Sequence, residues 1–482
     1  MKNINNIKLP KSSIKKTSKF IDEMYAETSI GETENGAVTY TRTASPLLDF
    51  YAQSGSMRNE KEEALNLFKR AFSEDREKAV RILFYLRDVR GGQGERALFR
   101  ICLEWLGNTY EDIFEKVVEY VSEYGRWDDM FFDNKKCFSI IKKQIISDET
   151  SEIPSLLAKW MPTINASSPT TRAKALFMAD KLGFKEIDYR KKIRSIRKKI
   201  KIVEEKMSAN KWEKIDYSSV PSQASKRYKN AFKKHDEERY SAFIDKAEKG
   251  EEKINAGTLY PYQIYKTAQS DYSKTLEALW KQLPDYTQGK NALVVADTSG
   301  SMTGDPMSVS VSLALYFAER NKGQFKDYFI SFSERPKLHK IQGKTLLDKM
   351  NSIELGDVAN TNLEAVFRLI LNTAVRNNTS KEEMPETIYI ISDMEFDYCS
   401  SGKTNLEAVR EMYEIAGYKI PNIVFWNVNS SGKNLPAQNN EYGVALVSGF
   451  SPVVFKIAVE NKTPEQIMLD TINSKRYSII KI

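Results

Sequence analysis

The feature that most constrains the fold is a change of pattern near residue 290. Before this point, apolar residues recur mainly at helical spacing. After it, short apolar strands alternate with amphipathic helices, beginning with "NALVVADTSGSM". This alternation is typical of a mostly parallel, doubly wound sheet with right-handed connections. The sequence therefore predicts a Rossmann-like α/β domain over residues 290–482.

The first part of the chain is predicted to be helical. Segments such as "EEALNLFKRAFSED" and "EKAVRILFYLRDV" place apolar residues at positions i, i+3, i+4 and i+7. Successive amphipathic helices with short breaks favour a helical repeat of the HEAT kind. We predict an all-α domain over residues 46–289, preceded by a polar arm over residues 1–45, so that a chain of 482 residues is multidomain.

Composition restricts the class of protein. Hydrophobic residues make up 41% and charged residues 29%, as in a soluble globular protein. No segment approaches the ~18 apolar residues of a membrane span, and the basic start lacks the apolar core of a signal peptide. Three distant cysteines form neither a disulfide framework nor a zinc pattern. The sequence predicts a cytoplasmic protein without a membrane partner.

Small polar residues follow two of the predicted strands. Asp297, Ser299 and Ser301 come after "ALVV", Asp393 ends "IYIISD", and Thr361 lies at the start of the intervening helix. In a doubly wound sheet, such strand ends meet at the switch point, where ligands bind. Five oxygen donors suit a hard divalent ion: Mg²⁺ fits best, and Mn²⁺ or Ca²⁺ also fits. An open metal position would bind an acidic ligand through its carboxylate or phosphate.

Two simpler interpretations remain open at this stage. Ser299 and Ser301 can shape a turn and cap a helix, and Asp393 can act as an N-cap. Alternatively, the α/β fold is present but its oxygen-lined crevice binds no ion.

The order Asp-x-Ser-x-Ser, distant Thr, distant Asp resembles the metal-ion-dependent adhesion site (MIDAS) of von Willebrand factor A domains. Asp297, Ser299 and Ser301 match the first element, Thr361 the second and Asp393 the third. The resemblance implies the von Willebrand A fold for residues 290–482 and a divalent-ion site. One departure is that this chain has "ANT", with Asn360 directly before the threonine, where the family often has Gly-Gly before its Thr.

The helical part has a resemblance of its own. "LRDVRGGQGERALFR" (86–100) and "YGRWDDMF" (124–131) resemble the helical module of Ro-type RNA-binding proteins, the TROVE family. "INAGTLYPYQI", "NTNLEAVF" and "SDMEFD" are similar to signatures of a family that joins such a module to a von Willebrand A domain. The resemblance implies a ring or horseshoe of helical repeats closed by the A domain, with RNA as a partner.

Positive charge supports a polyanion partner. The net charge of +8 comes from the part of the chain before residue 291, and a basic segment spans residues 189–235. Tyr228 and Phe232 lie there among the cations, where aromatic rings can stack on unpaired bases. The candidate RNA-binding residues are Arg87, Arg90, Arg96, Arg190, Lys191, Lys192, Arg194, Arg197, Lys198, Lys199, Lys201, Lys226, Arg227 and Lys229. The alternative is that basic helices are solvated faces and that "RDVRGGQGER" is a structural corner of arginine–carboxylate pairs.

No catalytic motif stands out. The chain lacks GxxxxGK[ST] and GxSxG, and its two histidines, His235 and His339, have no triad context. Metal-assisted hydrolysis would need a general base, for which Glu395 is the nearby candidate. The sequence predicts a non-enzymatic, Ro-like RNA-binding protein with a metal site for an acidic ligand. The alternative is a metal-dependent protein-interaction or assembly scaffold with no nucleic-acid role.

Overall fold

The computed structural model describes residues 21, 24, 28–200, 202–289, 291–332, 335–353, 361–399, 403–429 and 434–482. Most of the predicted polar arm, together with Lys201 and Asn360, lies outside these residues.

An antiparallel hairpin forms within the segment assigned to the N-terminal arm. Its strands are β1 (Ile30–Glu32) and β2 (Val38–Tyr40). The connecting turn contains the dipeptide Asn35-Gly36, and Gly36 adopts a positive φ of 80°. Gly36 N donates to Thr33 O at 2.9 Å and closes the turn. Asn-Gly is a strong hairpin signal because both residues tolerate left-handed backbone.

The helical region follows the hairpin and confirms the predicted all-α architecture. Its helices are α1 (Pro46–Gln53), α2 (Lys61–Glu74), α3 (Arg76–Arg87), α4 (Ala97–Thr109), α5 (Glu111–Val117), α6 (Val121–Tyr124), α7 (Lys135–Thr150), α8 (Leu157–Trp160), α9 (Pro169–Lys181), α10 (Glu186–Lys199), α11 (Val203–Ser208), α12 (Ser222–His235), α13 (Glu237–Lys249), α14 (Pro261–Ser270) and α15 (Lys274–Lys281).

Local chemistry explains where these helices begin. Ser45 caps α1 by accepting a hydrogen bond from Leu48 N, and Pro46 occupies the first helical position. Asp75 caps α3 in the same way through Lys78 N. The apolar faces predicted from the sequence are buried, which fixes how consecutive helices pack against one another.

A six-stranded sheet forms the core of the C-terminal domain. Its strands are β3 (Ala292–Ala296), β4 (Tyr328–Ser331), β5 (Lys337–Lys340), β6 (Thr387–Ser392), β7 (Asn422–Asn427) and β8 (Val444–Ser448), in the order β5-β4-β3-β6-β7-β8. Its helices are α16 (Asp305–Arg320), α17 (Leu346–Asn351), α18 (Leu363–Asn377), α19 (Asn405–Ile415) and α20 (Pro464–Ile472). Among the described strands, β5 alone pairs antiparallel, at one edge of the sheet.

The strand order confirms the predicted doubly wound topology. The central strand β3 pairs parallel with β4 on one side and with β6 on the other. Because Ala296 pairs with Ile391, the carboxyl ends of β3 and β6 are adjacent. The switch point of the sheet therefore lies between the segments that begin at Asp297 and Asp393.

Both ends of the helical region contact the α/β domain. Near its start, Asp88 accepts hydrogen bonds from the guanidinium of Arg476 and, at 2.9 Å, from the hydroxyl of Tyr477. Near its end, Trp280 Nε1 donates to Glu319 Oε2 at 2.6 Å. The helical region therefore contacts the α/β domain both near its start and near its end. Over the described ranges, every helix is too short or too polar to cross a bilayer.

Candidate metal centre and nucleic-acid surface

Two carboxylates lie buried at the switch point of the sheet. Asp297 is 0% and Asp393 1% exposed. Asp297 Oδ2 accepts a hydrogen bond from Ser392 Oγ at 2.6 Å, and its Oδ1 accepts one from Ser299 N at 2.9 Å. Asp393 Oδ1 accepts one from Glu395 N at 3.1 Å, whereas its Oδ2 is buried without a hydrogen-bond partner among the described residues. One carboxylate oxygen thus remains available to a ligand.

The two serine hydroxyls complete the wall of this crevice. Ser299 Oγ lies 3.1 Å from Ser301 Oγ. Ser299 precedes the 3₁₀ turn Gly300–Met302, but its side chain makes no capping hydrogen bond there. The Ser301 hydroxyl faces Asp393 and acts against the rise in the pKa of that carboxyl. The hydroxyls therefore face the carboxylates and are not explained by helix capping.

The electrostatics of the crevice disfavour two free negative charges. Burial, followed by the charge of Asp393, raises the pKa of Asp297 to about 6. Burial also raises the pKa of Asp393, with a smaller contribution from the charge of Glu34. Within the part of the chain that the structure describes, no Lys, Arg or His pairs with either carboxylate. Buried like charges need a proton or a cation between them.

Thr361 lies against the loop that follows β6. It is 2% exposed, and its carbonyl oxygen accepts a hydrogen bond from Asp397 N at 3.0 Å. The next residue, Asn362, caps α18 through Ala365 N. The loop before Thr361 lies outside the described residues. Thr361 therefore lies against the loop that carries Asp393. Its role as a metal ligand stays a prediction.

The donor chemistry of the crevice fits a hard divalent cation. Carboxylate, hydroxyl and water oxygens are the ligands that Mg²⁺, Mn²⁺ and Ca²⁺ prefer. In the described ranges, no group of three or more His, Cys, Asp and Glu side chains could hold a metal ion. The predicted centre depends instead on two carboxylates with hydroxyls, and the identity of the ion stays a prediction.

Two elements of the site were not predicted from the sequence. Ser392 joins the Asp297 carboxylate to the loop after β6, since its hydroxyl donates to Asp297 and accepts from Met394 N at 3.0 Å. The hairpin β1–β2 packs on the loop after β6. Glu395 Oε2 accepts from Glu34 N at 2.8 Å, and Oε1 accepts from Asn434 Nδ2 at 2.6 Å. Glu395 therefore anchors neighbouring segments, which makes it a poor candidate for a general base.

The sequence signals for these two elements are present but local. A hydroxyl residue ends the apolar strand "TIYIIS" one position before the aspartate. The Asn35-Gly36 dipeptide, followed by "AVTY", indicates a hairpin on its own. Neither signal states which distant segment the element will contact.

The motif "RDVRGGQGER" forms a structural corner. Arg87 is 4% exposed and its Nε donates to Asp129 Oδ2 at 2.8 Å. Arg100 Nε donates to Asp129 Oδ1 at 2.7 Å, and Arg96 pairs with Asp128. Burial alone would raise the pKa of Asp129, but the arginine cations hold it below its usual value. Phosphate binding is therefore not available to Arg87, and Arg96 is already paired.

Close packing explains a glycine in the same motif. Gly94 has a φ of 68°, and a Cβ atom there would lie 2.0 Å from the hydroxyl oxygen of Tyr260. Together with the Asp88–Arg476 pair, this contact makes the motif a junction of three parts of the chain.

The helix α10 carries the predicted basic face, but only four of its seven cations are exposed. Tyr189, Ile193 and Ile196 are buried. The exposed cations are Arg190, Lys191, Arg194 and Lys198.

Three other cations on this helix hold neighbouring backbone or carboxylates. Arg197 Nε donates to Ala158 O at 2.7 Å, and burial lowers the pKa of its guanidinium. Lys192 Nζ and Lys199 Nζ donate to the side chain and to the carbonyl oxygen of Glu149, respectively. These three residues therefore stabilise the fold.

The second basic run contributes less surface than its sequence indicates. Lys229 is 4% exposed and pairs with Asp271. Phe232 is 1% exposed and packs among aromatic rings, so it is not available to stack on a base. Lys226 Nζ donates to Gln263 O at 3.3 Å. Arg227, Lys233 and Lys234 of this run are exposed, and so is Arg90 in the earlier motif. Tyr228 is half-buried and donates to a glutamate.

Fold and site together define a class: an all-α region joined to a doubly wound α/β domain with an oxygen-lined crevice. Residues 291–477 match the domain of unknown function DUF7788, and residues 33–111 and 147–297 match the domain of unknown function DUF2828. An uncharacterized protein of Acanthamoeba polyphaga mimivirus is 28% identical over 481 residues, which cover 88% of this chain and 83% of that protein. The crystal structure of the Deinococcus radiodurans RO (RSR) protein aligns with 86% of this chain and 92% of its own, at 9% identity and a TM-score of 0.34.

Proposed function

We propose that this protein is a non-enzymatic RNA-binding protein whose α/β domain holds a divalent metal ion. RNA would bind the exposed cations of α10. The metal would lie between Asp297 and Asp393, with the hydroxyls of Ser299, Ser301 and Thr361 around it, and would accept an acidic oxygen ligand.

The observation that supports the metal centre best is the unsatisfied Oδ2 atom of Asp393. A buried carboxylate oxygen without a partner is costly, and here it lies beside a second buried carboxylate. Met394, directly after it, has a positive φ of 69°, a conformation that costs energy for a residue other than glycine. A divalent ion would neutralise both carboxylates and supply the missing contact.

The observation that supports RNA binding is the stripe of exposed cations on α10. Arg190, Arg194 and Lys198 are spaced by four residues and lie on one helix face, with Lys191 beside them. Clustered cations bind phosphates by releasing counterions. The resemblance of two motifs to the TROVE family favours RNA as the polyanion.

The RNA proposal is tested with a triple variant, Arg190→Gln, Arg194→Gln and Lys198→Gln. Fluorescence anisotropy would measure binding of a short single-stranded RNA and a stem–loop RNA of equal length. We expect the variant to bind RNA more weakly. We also expect the slope of log K against log salt concentration to be shallower by roughly 2. The control is Lys322→Gln, Arg376→Gln and Lys381→Gln, which removes three exposed cations of the α/β domain. Equal affinity of both triple variants and the wild type would contradict the proposed surface.

One observation favours the alternative of a protein-interaction scaffold. Several cations that the sequence offers to RNA are paired within the fold, which leaves a smaller basic surface. If the protein shows no RNA affinity at low salt yet still gains stability from Mg²⁺, the scaffold function is favoured. Loss of both responses would contradict both functions.

A further inference from the structure

We propose that the stacked rings of Trp212 and His235 form a binding platform for an unpaired nucleobase of single-stranded RNA. The inference rests on the proposed function, because it specifies which class of RNA the helical region takes and where one base would lie. The proposed surface on α10 supplies positive charge for phosphates, which every RNA carries. A stacking platform adds a contact that only an RNA with an accessible base can make.

The two rings form a parallel stack at the surface of the helical region. Their centroids lie 4.5 Å apart, and their planes differ by 5°. His235 is the last residue of α12 and is exposed, whereas Trp212 is half-buried. Within the described part of the chain, the His235 side chain makes no hydrogen bond or ion pair, and its ring partner is Trp212. The indole therefore covers one face of the imidazole, and the exposure of His235 leaves the opposite face open to a ligand.

Neighbouring contacts hold the indole of Trp212 in place. Its Nε1 donates to Asn210 Oδ1 at 2.7 Å, and the ring of Phe232 meets it edge-on at a centroid distance of 6.5 Å. The carbonyl oxygen of Trp212 accepts a hydrogen bond from Arg239 Nη1 at 3.1 Å, and the same nitrogen donates to Asp236 Oδ2 at 2.6 Å. Arg239 thus ties the segment of Trp212 to the C-cap of α12. The platform is therefore preformed, so that little conformational entropy is lost when a base binds.

The charges around the stack are mixed. Exposed lysines lie next to both rings in the sequence, and exposed glutamates lie among them: Lys211, Lys214, Lys233 and Lys234, and Glu213, Glu237 and Glu238. This near balance makes the place a weak site for a chain of phosphates. What it offers is the flat face of a ring, on which an unpaired base can stack, whereas a duplex keeps its bases within its own stack. The geometry therefore favours an unpaired base over a phosphate group or a duplex.

The test uses full chains that carry His235→Ala or His235→Phe. The alanine variant removes the ring, and the phenylalanine variant keeps a ring that can stack. Tyr442→Ala, which removes a 67% exposed side chain of the α/β domain, is the matched control. Fluorescence anisotropy measures the binding of three probes of equal length: a single-stranded oligoadenylate of about ten nucleotides, the same backbone without bases, and an RNA duplex.

The expected loss is specific to the probe with unpaired bases. We expect His235→Ala to bind oligoadenylate about tenfold more weakly, as the loss of one stacked base does, and His235→Phe to stay within about threefold of the wild type. The base-free strand and the duplex should bind the wild type and all variants equally. The slope of log K against log salt concentration should be the same in His235→Ala and His235→Phe, because stacking releases no counterions.

The two proposals fail in different ways. If the wild type binds none of the probes at low salt, the RNA-binding function is wrong and the platform is wrong with it. If the wild type binds oligoadenylate but His235→Ala matches Tyr442→Ala, the platform is overturned while the proposed surface on α10 is unaffected. An equal loss on all three probes would show that the His235 ring stabilises the fold and does not stack on a base, which also overturns the platform.

Discussion

Two pairs of acidic residues in the described part of the chain differ in the origin of their counter-charge; Asp129, Asp297 and Asp393 are buried, and Asp128 is partly buried. In the helical region, Asp128 and Asp129 lie among the side chains of Arg87, Arg96, Arg100 and Arg126. At the switch point of the sheet, Asp297 and Asp393 are contacted by hydroxyls and backbone amides, and among the described residues they have no cationic partner. The pKa of Asp129 is lowered, whereas the pKa values of Asp297 and Asp393 are raised, chiefly by burial.

The difference separates a structural role from a binding role. A carboxylate whose charge is neutralised by arginines of the same chain needs nothing from solution. A carboxylate pair without such partners is stable only after it takes up protons or a cation. Burial of a carboxylate alone therefore does not indicate a ligand site. A ligand site is indicated when the counter-charge has to come from solution and not from the same chain.

The largest expected effect is a difference in stability between two variants, each of which removes one carboxylate from one of the pairs. Asp129→Ala leaves Arg87 buried without a partner, and we expect a loss of about 3–5 kcal/mol in the free energy of unfolding. Asp393→Asn in metal-free protein relieves repulsion, so its cost should be within about 1 kcal/mol. Urea unfolding in the presence of a chelator measures both. Similar losses for the two variants would remove the distinction between the pairs.

The second prediction concerns pH in metal-free protein. Folding raises the pKa of Asp297 from 3.8 to about 6, so the folded state holds this proton more tightly. The stabilisation is complete below about pH 4 and is lost as the pH rises through about 6, by about 3 kcal/mol at most.

The lowered pKa of Asp129 acts in the opposite direction, since its stabilisation is present above pH 4 and is lost only in stronger acid. Urea midpoints between pH 4 and 7.5 should therefore fall for the wild type and remain flatter for Asp297→Asn. A wild-type stability that rises over this range would contradict the assignment.

The third prediction is metal-dependent stability. At an Mg²⁺ concentration one hundred times Kd, the ion should stabilise the wild type by about 2.7 kcal/mol and raise its Tm. Asp297→Asn and Asp393→Asn should abolish the response, and a chelator should reverse it in the wild type. The Asp128–Asp129 pair offers the control, because Asp128→Asn should lower stability without changing the Mg²⁺ response. A response that survives in Asp297→Asn would place the ion elsewhere.

The smallest expected effect concerns Ser392, whose hydroxyl donates to Asp297. Ser392→Ala removes the 2.6 Å hydrogen bond to Asp297 Oδ2 and leaves a buried oxygen without this donor. We expect a loss of about 1 kcal/mol, measured by urea unfolding at pH 7. Ser312→Ala, at a buried hydroxyl that donates to Val309 O within α16, is the matched control. No difference from this control would show that Ser392 does not position Asp297.

Much of the sheet and of the candidate site follows from local pattern. The alternation of strands and helices predicts the doubly wound topology, and this topology alone brings the ends of β3 and β6 together. The pairing of Asp297 with Asp393 therefore follows from the order of strands and helices along the chain. The hydroxyls of Ser299 and Ser301, at alternate positions after Asp297, add two oxygen atoms to the two carboxylates. Hard divalent cations prefer such oxygen ligands, which is why the sequence predicts a metal site there.

The basic helix shows where such reasoning ends. The isoleucine spacing correctly separates a buried face from a polar one. It cannot show that carbonyl groups of another segment lie within reach of Arg197, or that Glu149 lies between Lys192 and Lys199. These contacts are set by tertiary packing. The same limit applies to Arg87, whose partner Asp129 is 42 positions away.

The hairpin bonds to a segment some 360 positions later in the chain, as between Thr33 and Phe396, and this has a consequence for folding during synthesis. A polypeptide made from its N-terminus must leave β2 without its partner at Leu435 until nearly the whole protein has emerged. Such long-range closure is slow, because loop entropy is lost before the contact forms. A fragment starting at residue 290 would lack the hairpin that packs on the loop after β6. The crevice of such a fragment would therefore differ from that of the complete chain.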